Sequence, residues 1–306
     1  MVHMQALEFY ITNVCNLTCD KCRSFNNYDF KGHYEFDREK MLQWSKRVTI
    51  DLIAILGGEP TLHPRLWEWV SGLRELWPDS RLQIVTNGTH FRKIKNFHQQ
   101  LIKYNCKLQV SVHGNHFRKQ LAQDIFDTFG EIRFTRYGRF MDEQPTWGHW
   151  SEFEGDGHTN SLWFETDSGV VIEIQNGNNF QDICFIDNDF NLHKSDPKIA
   201  HKNCGISRCH HMIDNKIYKC SVVGLLPEFL RQQGKDTNKL TPYSPLEAKT
   251  VTQKSVDNLK NWIPQCSICP EGNSAGHNKS NLKKSLNKIA KQLSMENHVL
   301  TNMPKA

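Results

Sequence analysis

An α/β fold, with parallel strands joined by crossover helices, is predicted by three observations. Apolar runs centred near Phe9, Ile53, Ile84, Val110, Phe134 and Ile172 read as strands. Helical patterns lie between most of them, and alternation of this kind means parallel strands with helices crossing over. The thiols and polar groups of the N-terminal half stand at the ends of these runs. In parallel barrels, chemistry sits at the C-terminal strand ends.

The first run, Ala6-Leu7-Glu8-Phe9-Tyr10-Ile11, leads into Cys15, Cys19 and Cys22, spaced C-x3-C-x2-C. A helix is expected over 37–48, with Met41, Leu42, Trp44 and Val48 apolar and Asp37 as its N-cap. The second run, 51–56, ends in Gly57-Gly58-Glu59-Pro60-Thr61. Two glycines let a backbone approach a ligand closely or turn sharply, and a carboxylate held there pairs with an ammonium group. The plain alternative is a turn in which proline stops the strand. Further helices are expected over 66–76, 91–104 and 117–129. The third run, 82–85, closes on Thr86-Asn87-Gly88, and the fourth, 108–110, on Ser111-Val112-His113-Gly114. Asn-Gly alone is a turn signal in any protein. Residues 141–157, with Trp147, Gly148, His149 and Trp150, break the alternation. They read as a loop or lid near the active site, or as a surface excursion anchored by two tryptophans.

Iron–sulfur clusters are normally fully ligated by cysteine, so three thiolates in one loop suit a [4Fe–4S] cluster with one open iron. Zinc, or plain thiols, are the alternatives, although a zinc site usually shows a fourth Cys or His nearby. The C-x3-C-x2-C spacing, the Gly57-Gly58-Glu59-Pro60 loop and the two later strand ends, in that order, resemble the radical S-adenosylmethionine (radical SAM) superfamily. The resemblance implies an open, partial (β/α)6 barrel. It implies SAM bound at the open iron through its amino and carboxylate groups, with Gly57, Gly58 and Glu59 at the methionine ammonium. Asn87, Ser111 and His113 would stand near the SAM carboxylate or ribose; His113 alternatively caps its strand end. One departure is Lys21, where many family members carry an aromatic residue before the third cysteine. The adenine contact is then expected from Phe25 or from a backbone group.

A second thiol group contains Cys204, Cys209, Cys220, Cys266 and Cys269. Residues 210–220 read as a hairpin turning at Asp214-Asn215, since Asn tolerates the left-handed backbone that such turns need. Cysteines flanking a hairpin, followed by a C-x2-C pair, resemble the auxiliary-cluster extension of the SPASM/twitch subfamilies, with Asn215 in place of their usual turn glycine. The count implies one complete auxiliary [4Fe–4S] cluster, held by Cys204, Cys220, Cys266 and Cys269. Cys209 lies roughly opposite Cys220 in the hairpin and is the alternative to Cys204. A structural zinc site is the competing assignment. The expected organisation is a barrel core over 1–180, an auxiliary-cluster domain over 181–275 and a C-terminal helix and tail over 276–306.

The 306 residues suffice for one full core plus a smaller extension. Ten cysteines without a signal segment at Met1, grouped at metal-ligand spacing, indicate a reducing cytoplasm rather than disulfides. Cys106 and Cys184 fall outside both groups and read as buried thiols. No apolar run approaches the ~20 residues of a membrane span. Lys279, Lys283, Lys284, Lys288 and Lys291 accompany Leu282, Leu286, Ile289 and Leu293 at helical spacing. That basic face is either solvated, or a dock for an acidic flavodoxin or ferredoxin electron donor, or a nucleic-acid contact. A net charge of +5 and a pI near 8.6 give nucleic acid little support.

The resemblance implies reductive cleavage of SAM to a 5′-deoxyadenosyl radical and hydrogen abstraction from a substrate. The auxiliary cluster would accept the electron left behind, giving net oxidation of a small molecule or a peptide or protein side chain. Only fourteen residues precede Cys15, so a leader-binding module of a peptide maturase is expected on a separate chain. The alternatives are a maturase that crosslinks a peptide and a non-catalytic zinc or iron–sulfur binding protein.

Overall fold

The computed structural model describes residues 1–113, 118–138, 161–176 and 184–272. Along the chain run β1 (Val2–Tyr10), α1 (Arg38–Ser45), β2 (Val48–Leu56), α2 (Leu66–Leu76), β3 (Arg81–Thr86), α3 (Phe97–Lys103), β4 (Cys106–Val112), α4 (Arg118–Phe129), β5 (Ile132–Gly138), β6 (Ser161–Thr166), β7 (Val171–Asn176), α5 (Pro197–Lys202), β8 (His211–Ile213), β9 (Lys216–Tyr218), α6 (Ser221–Gln232) and α7 (Gln253–Asn258). They form two units. One combines residues 1–80 with 184–272; the other holds the described part of 81–176. The proposed lid at 141–157 and the basic C-terminal helix at 279–293 lie outside the described residues.

In the first unit, β1 pairs in parallel with β2 along its length and with β8 through Glu8↔His211 and Phe9↔Met212. The helix expected after β1 starts where its cap predicts: Asp37 accepts from the Lys40 backbone N at 3.0 Å. It ends at Ser45, and Val48 opens β2 instead of closing the helix. Leu52, Ile53, Ala54 and Ile55 are buried in succession, so β2 reads as a near-continuous apolar run, as a parallel strand covered on two faces does, while β1 carries His3, Gln5 and Glu8 among its apolar residues. The β8–β9 hairpin pairs His211↔Tyr218 and turns at Asp214 (φ 44°) and Asn215 (φ 62°). Positive φ at both central residues is the turn whose twist suits a two-residue hairpin. Asn215→Val should cost about 1–2 kcal/mol, the penalty of a left-handed backbone on a bulky side chain. Asn215→Gly should cost far less, because glycine takes the left-handed backbone freely and only the exposed bond from Asn215 Nδ2 to Asp214 at 3.3 Å is lost. Thermal melts of the two variants check this; equal losses would contradict it.

The second unit corrects two expectations. The single helix over 91–104 is divided into a one-turn 3-10 segment, Phe91–Lys93, and α3, because Asn96 takes φ 58° between them. The parallel repeat also stops after α4. A strand not foreseen in the sequence, β6, runs antiparallel to both β5 and β7, while β7 lies parallel to β4. The cause is the short connection after Thr166. Gly169 (φ +81°) donates to Thr166 O at 2.9 Å, which closes a tight turn, and tightly joined strands can only be antiparallel. Among the described residues the alternation of strand and crossover helix therefore ends with α4 and β5. Across this sheet runs a polar chain. Gln83 donates to Gln109 at 3.0 Å, Gln109 to Gln175 at 3.2 Å, and Lys107 to Glu173 at 2.6 Å.

Candidate functional site

The loop after β1 carries the first thiols, and the loop after β2 is pressed onto it. Gly58 N donates to Thr12 O at 2.7 Å and Glu59 N to Val14 O at 2.8 Å. A Cβ on Gly57 would stand 2.6 Å from Thr12 O, and one on Gly58 would stand 2.4 Å from Val14 O. Both glycines are thus required by the approach of the cysteine loop itself, and neither needs a left-handed backbone. Glu59 is fully buried. Its Oε1 accepts from Thr61 N at 3.0 Å and from the Thr61 hydroxyl, capping the 3-10 turn Pro60–Leu62.

Consecutive turns shape the thiol loop: Cys22 N donates to Cys19 O at 3.2 Å and Phe25 N to Cys22 O at 3.1 Å. Lys21 (φ 63°) and Phe25 (φ 61°) hold left-handed backbone, which costs energy for side chains of this size. Burial pushes the Cys15 thiol up to about 11, with Glu59, Cys22 and Cys19 adding to the rise. Burial also raises Cys22, against the backbone N–H groups of Asn26, Ser24, Asn27 and Phe25, which favour its thiolate. A ring of amides around one sulfur is a nest for an anion. Phe25 is not available to adenine. Its ring is fully buried and stacks on Phe229 at 4.8 Å, beside Phe185 at 5.3 Å. These rings belong to an apolar cluster with Phe30, Leu225 and Leu226, which fastens the thiol loop to α6.

Asn87, Ser111 and His113 stand in the second unit. Asn87 follows β3 and accepts from Thr89 N at 3.0 Å and Thr89 Oγ1 at 2.6 Å. Ser111 lies within β4, opposite Gln175 of β7, and His113 follows that strand, half-buried.

The second thiol group gathers around the hairpin and α6. Cys220 is the N-cap of α6, a position that favours an anionic sulfur. Burial pushes it up to about 11, followed by repulsion from Cys204. Cys269 is raised by burial and then by Cys220, with smaller effects of Cys204 and Cys266. Cys209 is raised by burial and then by Glu8, ahead of Cys204. Buried Cys184, set aside in the sequence, also faces this group and is raised by burial and then Cys269. Two cations were missed. Arg23 Nη1 donates to Cys204 Sγ at 3.6 Å. Lys219 is 2% exposed, and burial lowers it against the opposing pull of Cys220, Cys266 and Cys204. Each adjoins a cysteine in the chain, which was the available signal. His210 Nδ1 donates to Lys219 O at 2.9 Å, and burial holds it down to about 4, a neutral imidazole.

All ten cysteines are free thiols. Among the described residues no group of three or more His, Cys, Asp or Glu is placed to hold a single metal ion. A cubane spreads its sulfur ligands over four irons, so its cysteines stand further apart than those around one ion. Soft thiols that lose their protons on binding metal fit such a group by their chemistry.

Residues 9–127 match the radical SAM superfamily model. The matched span contains the first thiol loop, Glu59 and the strand ends at Asn87, Ser111 and His113; the second thiol group lies beyond it. No curated protein matches the chain. Two solved structures are similar. One, of selenomethionine BtrN in an open conformation, is 23% identical, with 38% of this chain and 53% of that chain covered and a TM-score of 0.30. The match thus spans about half of that chain. The other, of BtrN in complex with AdoMet and 2-DOIA, is 14% identical, with 87% and 85% covered and a TM-score of 0.43.

Proposed function

We propose that this protein is a radical SAM oxidoreductase or maturase. It would cleave SAM reductively and oxidise a small molecule, or a peptide or protein side chain, with the help of one auxiliary cluster. The observation that carries this reading is the C-x3-C-x2-C loop held against Gly57-Gly58-Glu59 by two backbone hydrogen bonds, inside the matched span. When bound, a reduced [4Fe–4S] cluster supplies the electron that splits SAM into methionine and a 5′-deoxyadenosyl radical, which takes a hydrogen atom from the substrate.

Cys15, Cys19 and Cys22 hold that cluster in this reading. The amides around Cys22 stabilise its thiolate. Glu59, its Oε1 held by Thr61 N and the Thr61 hydroxyl, offers its carboxylate to the methionine ammonium. Asn87, Ser111 and His113 serve the SAM carboxylate and ribose. The auxiliary cluster rests on Cys204, Cys220, Cys266 and Cys269. Cys204 is taken as the fourth ligand on the spacing of the resemblance, with Cys209 as the alternative. An external flavodoxin or ferredoxin would deliver the electrons.

Cys269→Ala tests the auxiliary assignment. Iron content should fall by about four per chain while SAM binding persists, since one cluster is lost and the other kept. Iron unchanged from the unsubstituted protein would sink the assignment.

A further inference from the structure

Two cations and a helix N-terminus converge on the second thiol group. Arg23 directly follows Cys22, yet its guanidinium reaches Cys204 Sγ at 3.6 Å. The same charge lowers Cys184, Cys209 and Cys269. Lys219 directly precedes Cys220, and its buried ammonium donates to Leu259 O at 2.6 Å and meets His201 Nε2 at 3.4 Å. No carboxylate pairs with Lys219 among the described residues. A buried ammonium is costly unless negative charge stands near it. Lys219 adjoins Cys220, whose sulfur stands at the N-terminus of α6 and can supply that charge. Glu8 is engaged by His211 at 2.9 Å. The first turn of the twelve-residue α6 adds its positive end at Cys220.

We propose that Arg23 and Lys219 set the reduction potential of the auxiliary cluster, holding it high enough to take an electron from the substrate radical left by hydrogen abstraction, which loses a proton as the oxidised product forms. This rests on the reading of the second thiol group given above. Adding an electron makes a cysteine-ligated cluster more negative. Fixed buried cations and hydrogen bonds to sulfur therefore favour the reduced form and raise the potential. Arg23 and Lys219 are positioning residues, since they act through the sulfurs and touch no substrate.

The test uses the full chain, reconstituted anaerobically, with iron counted and each cluster titrated by electron paramagnetic resonance. In Arg23→Gln the iron content should match the unsubstituted protein. One cluster's one-electron equilibrium should shift at least tenfold toward the oxidised form, a midpoint about 59 mV lower. The other cluster should not move, and Arg23→Lys should recover part of the shift. Lys219→Met should shift the same signal in the same direction, and it is read by the same rule if Arg23→Gln fails to load. Two loaded clusters with unchanged midpoints in both variants would overturn the proposal. So would loss of the second cluster in both, which would make the cations merely structural. A single cluster in the unsubstituted protein would overturn it together with the reading beneath it.

Discussion

Cys22→Ala should abolish 5′-deoxyadenosine formation while leaving the auxiliary iron in place. Cys22 is the thiol around which four backbone N–H groups gather, so its thiolate is the best supported of the three in the loop. Alanine removes one ligand of three and leaves Cys15 and Cys19, both raised by burial, to hold iron alone. Two thiols do not retain a cubane against water, so iron should fall by about four per chain. The second thiol group takes its ligands from residues 204–269, so its iron should stay. Rates at or near those of the unsubstituted protein would mean that the site assignment is wrong.

Gly58→Ala should have the next largest effect. The added Cβ would lie 2.4 Å from Val14 O and 3.0 Å from Cys15 Cβ, and a backbone carbonyl cannot swing aside as a side chain can. Overpacking of this kind costs about 1–3 kcal/mol. The strain falls on the hydrogen bonds at 2.7 and 2.8 Å that seat the cysteine loop. The expected result is a lower melting temperature with selective loss of the SAM-binding cluster's iron. Gly272→Ala is the control, since its Cβ meets nothing within 4 Å and should be silent. Equal behaviour of the two variants would remove the packing explanation.

Much of the first unit was legible in the sequence because its signals are local. Asp37 caps α1, α2 occupies the 66–76 that its periodicity marks, and Asn215 turns the hairpin. The second unit was less legible because its deciding features are not local. Leu162, Trp163 and Phe164 are buried in succession, so β6 shows no alternation to mark it. The left-handed Asn96 that divides the expected helix looks in sequence like any polar helical residue. At the site, the cysteines and Glu59 stood out by spacing, but the reason for the glycine pair did not. A close approach to the preceding loop is visible only once β1 and β2 pair. Phe25 misled for a similar reason: an aromatic residue near the thiols suggested adenine, whereas its ring belongs to the core around Phe229.

One anaerobic measurement tests the central claim most directly. The protein is reconstituted with iron and sulfide, metal is counted, and dithionite and SAM are added. About eight irons per chain, together with 5′-deoxyadenosine, is the predicted result for two [4Fe–4S] clusters, one of them open to SAM. Zinc in place of iron, with SAM left intact, would contradict it.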